Sequence, residues 1–177
     1  MAFFDNEKSR LLMPQGAAFG VECIPSFSSE WTLTYDSMAH ALIYREAQKS
    51  IWHATYQAMH KKKKGKKHSK WVPRRRPKDY VPPEVKTFSL TVSDDQAATL
   101  REIWATAVHN AVEREVNILD GVKWEYFIDG QRAKTHSDKK ALVKFTNQLA
   151  EAVWTGNAAR KDSLISESQQ IITHLQP

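Results

Sequence analysis

Trp124-Glu125-Tyr126-Phe127-Ile128-Asp129-Gly130-Gln131 is the most decisive stretch of this chain for its fold. Trp124, Tyr126 and Ile128 alternate with Glu125 and Phe127, a period of two that turns one set of side chains toward a core. Asp129-Gly130 is a pair that tolerates positive φ and closes a two-residue hairpin, so Gln131–His136 is expected to return antiparallel. That return strand is polar, as suits an edge or a solvated face.

Working outward, the period changes to that of helices. Ser137 can cap a helix whose Leu142, Phe145, Leu149 and Val153 share a face, with Gly156 suited to its C-terminal end. A last helix is expected over about 159–175, on Leu164, Ile171 and Leu175. On the N-terminal side, Phe88, Leu90 and Val92 alternate with Thr87, Ser89 and Thr91, which predicts a strand over 85–92. Ser93 and Gln96 then form a capping box, and Ala97, Leu100, Trp104, Ala107 or Val108, and Ala111 make the stripe of a helix ending near Glu115. Earlier still, Ala17–Ile24 and Trp31–Tyr35 read as two strands around the turn cluster at 25–29, while residues 1–16 look irregular. Ala39, Ile43, Ala47, Ile51, Ala54 and Ala58 recur at spacings of four or three, which predicts a long helix over 37–60, capped by Asp36 or Ser37. These elements define an α+β fold, a small mostly antiparallel sheet with about four helices packed on one face. At 177 residues the chain suits one domain over 1–177.

Between the two strand–helix halves runs a segment of different composition, about 61–83. Its four prolines, Pro73, Pro77, Pro82 and Pro83, and its lack of apolar periodicity predict a loop or linker. The net charge of +6 conceals a separation of charge: residues 61–78 carry eleven Lys or Arg and no acid, leaving 15 basic against 20 acidic residues elsewhere. A field concentrated on one segment draws polyanions to that segment while the remaining body repels them. Lys61, Lys62, Lys63, Lys64, Lys66, Lys67, Lys70, Arg74, Arg75, Arg76 and Lys78 are therefore the expected phosphate contacts, because counterion release accumulates over many neutralised phosphates. Trp71, among these cations, and Tyr80, just beyond them, can stack on an unpaired base. A solvated loop without a ligand, an acidic protein surface and a nuclear-import signal have the same composition.

Other polar residues make weaker candidates. His53 and His60 lie seven apart on the first predicted helix, too distant to hold one ion by themselves. His109 and Glu113 are four apart and can pair on a helix surface or act as a base with its orienting carboxylate. Asp120, Glu125, Asp129, His136 and Asp138 gather around the hairpin, but each has an ordinary reading as a turn, face or cap residue. The motifs HExxH, GxGxxG, GxSxG and the P-loop signature are all absent from the sequence. Cys23 is the one cysteine, flanked by Glu22 and Ile24, so an intrachain disulfide is excluded and a buried small hydrophobe is the simplest reading. Four of six tryptophans, Trp31, Trp104, Trp124 and Trp154, fall on apolar stripes and are expected in the core.

The expected protein is thus non-enzymatic, cytoplasmic (or nuclear in a eukaryote), without a cofactor, metal or membrane span. Its expected partner is DNA or RNA, bound as an accessory component of a nucleoprotein assembly. The alternative is an inhibitor, immunity or regulatory module that binds a protein through charge complementarity.

Overall fold

In the computed structural model, residues 2–26, 28–60, 80–109, 121–135, 140–168 and 170–172 are described. Six strands, β1 (Ala17–Pro25), β2 (Trp31–Asp36), β3 (Ala41–Ala47), β4 (Val85–Thr91), β5 (Val122–Ile128) and β6 (Gln131–Thr135), form one sheet in the order β4-β3-β2-β1-β5-β6. Every neighbouring pair is antiparallel. The helices are α1 (Ala2–Leu12), α2 (Ile51–His60), α3 (Asp94–His109), α4 (Lys140–Trp154) and α5 (Ala158–Ser166). This is the α+β architecture that the alternation of periods predicts.

The hairpin turns as its sequence requires, with φ of 50° at Asp129 and 78° at Gly130. Tyr126 lies opposite Ala133, and Phe127 opposite Arg132. One face of the sheet, carrying Phe19, Val21, Leu33, Tyr35, Leu42, Trp124 and Tyr126, joins α3, α4 and α5 in the main core. Trp104 of α3 is 1% exposed and touches the rings of Phe19, Tyr126 and Phe145 at centroid distances of 6.0, 6.0 and 6.2 Å. The capping box at the start of α3 is formed: Gln96 N donates to Ser93 Oγ at 3.2 Å, and Ser93 N donates to Gln96 Oε1 at 3.1 Å. Leu142, Phe145, Leu149 and Val153 are all buried, and Gly156 takes φ of 70° just past α4. Trp154 departs from its expected core position and is half exposed, because the buried face of α4 ends at Val153.

Two elements near the N-terminus differ from the sequence reading. Residues 2–12 form a helix, and the long helix expected over 37–60 is instead a turn, strand β3 and the shorter α2. Asp36 does cap backbone amides, accepting from Met38 N at 2.9 Å and Ala39 N at 3.1 Å, but it closes the β2–β3 turn, where His40 has φ of 47°. The cap of α2 is Ser50, whose Oγ accepts from His53 N at 3.2 Å. Helices also cover both faces of the sheet rather than one. Thr32 Oγ donates to the Leu12 carbonyl at 2.9 Å, and Leu12 packs with Ala47 and Ile51, which places α1 and α2 against the side opposite α3. The close β1–β2 contact beneath α1 depends on Gly20, where an added Cβ would lie 2.5 Å from the Leu33 carbonyl oxygen.

The face under α1 carries charge within it. Glu22 is 2% exposed and stands opposite Glu125 across the β1–β5 pair. Lys8 of α1 pairs with one Glu22 oxygen, while Arg132 Nη1 donates to the other at 2.8 Å and to Glu125 at 3.2 Å. Lys123 adds a contact of 3.3 Å to Glu125. Burial pushes the Glu125 carboxyl up, but Lys123 and Arg132 outweigh it and hold the group below the usual carboxylate range. Two opposed carboxylates are thus neutralised by cations from α1, β5 and β6, which ties the N-terminal helix to the sheet.

Candidate nucleic-acid interface

Helix α2 carries the chain directly into Lys61. Ile51 is fully buried and Thr55 is 1% exposed, so one side of the helix is fixed against the body. Its first turn is held by Glu30, a fully buried residue whose carboxylate accepts from Ile51 N at 2.6 Å, Trp52 N at 3.0 Å and Ser50 Oγ at 3.1 Å. A carboxylate there satisfies free amides and complements the positive end of the helix dipole. Glu30→Ala should therefore lower stability by about 1–2 kcal/mol and loosen α2 first. Hydrogen exchange of the amides at 51–55 reads this directly, and unchanged protection would show that the carboxylate is not needed as a cap.

The opposite side of α2 is exposed and aromatic. Trp52 is 51% and Tyr56 44% exposed, and their rings stack with centroids 5.0 Å apart and planes 11° from parallel. The spacing of four residues brings them together on consecutive turns. His53, on a neighbouring position, is engaged by Gln57, whose Nε2 lies 2.6 Å from its Nε2. Of the His53 and His60 pair, His53 is thus bonded within the helix, and the His60 side chain lies outside the described residues.

Lys61, Lys62, Lys63, Lys64, Lys66, Lys67, Lys70, Trp71, Arg74, Arg75, Arg76 and Lys78 also lie outside the described residues. On the C-terminal side of this segment, Tyr80 is 6% exposed and meets Phe3 of α1 edge-on at 5.1 Å, so this ring is packed into the body and is not placed to stack on a base as its position in the sequence suggests. Since α1 also contacts α2, the described residues on either side of the basic segment, α2 and Tyr80, both pack on α1. Gln48 N donates to the Glu84 carbonyl at 2.8 Å just beyond, joining the two flanks again.

The remaining candidates separate. His109 ends α3 beside an open depression lined by Arg101, Thr106, Asp129 and Gln131, while Glu113 lies outside the described residues. Asp129 is paired with Arg101, and Glu125 with Arg132 and Lys123, so these acids serve ion pairs. Asp120, His136 and Asp138 are outside the described residues. Among the described residues no group of three or more His, Cys, Asp or Glu is placed to hold a metal ion. Cys23 is buried in the main core, where burial pushes its thiol up to about 12, the opposite of an activated nucleophile. No helix among the described residues is long and apolar enough to cross a membrane. No protein-family model, curated protein or solved structure significantly matches the chain.

The sequence reading missed the exposed Trp52–Tyr56 pair and the buried Glu22 cluster. The i, i+4 aromatic spacing was a usable signal for the first. For the second, the only signal was an acid inside an apolar strand, Glu22 between Val21 and Cys23.

Proposed function

We propose that this protein binds nucleic acid through the phosphates, in the cytosol or a nucleus, as a non-enzymatic component of a nucleoprotein assembly. The observation that carries this reading is the separation of charge: eleven cations and no acid in residues 61–78, on a chain whose other residues are net acidic. Such a segment engages a polyanion by counterion release, and an acidic body limits how much of the protein the polyanion can cover. The described residues that flank it, α2 and Tyr80, both pack on α1 and are compatible with this reading.

Charge complementarity to an acidic protein is the second reading, favoured by the same segment. Affinity capture from the native cell, with and without nuclease, separates the two. Nucleic acid recovered with the protein, and co-captured proteins lost on nuclease treatment, support the first. A single protein retained at high salt after nuclease treatment supports the second.

A further inference from the structure

We infer that the outward face of α2 is a base-stacking site, with Trp52 and Tyr56 as its platform and the unpaired bases of a single strand as its ligand. This rests on the nucleic-acid reading and adds to it the part of the ligand that the cations cannot recognise.

Three observations converge on this face. Trp52 and Tyr56 leave about half of their surface in water, while Ile51 and Thr55 already supply the buried side of the helix. The two rings stack on each other, so each orders the other and an added base would extend an existing stack rather than order two independent side chains. The helix that carries them is fixed at its first turn by Glu30 and leads, four residues after Tyr56, from His60 into Lys61. An aromatic platform joined to consecutive cations matches a strand that alternates flat bases with phosphates. A duplex keeps its base faces stacked inside, so the platform selects unpaired bases. Charge complementarity favours this occupant over an apolar protein surface, which would gain nothing from the four lysines that follow α2 in the sequence.

The test compares two labelled 20-mers with the same number of phosphates, oligothymidine and a fully abasic strand, by fluorescence anisotropy at several salt concentrations. The natural protein should bind oligothymidine about tenfold or more tightly than the abasic strand. The double variant Trp52→Ala/Tyr56→Ala should bring that ratio close to one while leaving abasic affinity and its salt slope unchanged, and Trp52→Phe should keep much of the preference. Circular dichroism confirms that the variants are folded. Equal binding of the two strands by the natural protein, or an unchanged preference in the double variant, overturns the stacking site while leaving phosphate binding in place. Binding of neither strand overturns the functional reading and the platform with it.

Discussion

Replacing Lys61, Lys62, Lys63, Lys64, Lys66 and Lys67 together by Ser should lower affinity for a single-stranded oligonucleotide by about two orders of magnitude or more at low salt. The reason is additive: each neutralised phosphate of a single strand contributes about 0.7 to the slope of log K against log salt, so six lost contacts flatten that slope by about four. Lys70, Arg74, Arg75, Arg76 and Lys78 remain and should sustain weak, still salt-dependent binding. The buried clusters are built from other residues, so the thermal midpoint should change little. Titrations of both proteins between 50 and 200 mM salt check this. A folded variant with undiminished affinity and slope would mean that these lysines do not touch the polyanion.

The largest stability effect is expected at Glu22. Glu22→Ala strands Lys8, 6% exposed, beneath α1 without its carboxylate, and leaves Arg132 to Glu125 alone. Breaking one side of a buried pair costs about 3–5 kcal/mol because the surviving charge stays desolvated. A second change, Lys8→Met, removes that stranded charge while keeping an apolar stem of similar length. The double variant should therefore be more stable than Glu22→Ala alone, and the double-mutant cycle should show strong coupling. Urea unfolding of the four proteins measures it. A loss below about 1 kcal/mol for Glu22→Ala would show that water reaches Lys8 and that α1 is not tied to the sheet by this pair.

Short-range patterns carried most of the fold into the sequence. Asp129-Gly130 demands its hairpin, Ser93 with Gln96 demands a helix start, and Leu142, Phe145, Leu149 and Val153 leave little choice of buried face. The error at residues 37–47 has a definite physical cause. A spacing of four residues returns to the same side of a helix and also to the same side of a strand, so Ile43 and Ala47 fit either period. Leu42 and Tyr44 break the tie, because they alternate with Ile43 and are buried in the main core on the other face of the sheet. Helix α1 was hidden for another reason. Its Glu7 and Lys8 have the composition of solvent residues, and it is the distant Glu22, with Glu125 beside it, that makes a buried Lys8 tolerable.

The candidate site was legible only in its charge. Eleven cations in eighteen residues need no structure to be noticed, whereas the exposure of Trp52 depends on which side of α2 meets Leu12 and Ala47. A helix begun at residue 37, with Ile51 on its apolar stripe, sets Trp52 merely beside that stripe. With the helix begun at Ile51, Ile51 and Thr55 take the buried side, and Trp52 and Tyr56 face out.

The most direct test of the central claim is the salt dependence of binding between the natural protein and a 20-residue single strand. Engagement of most of the eleven cations predicts a linear fall of log K with log salt, with a slope steeper than about −4. Absence of binding at 50 mM salt, or an affinity indifferent to salt between 50 and 200 mM, would contradict it.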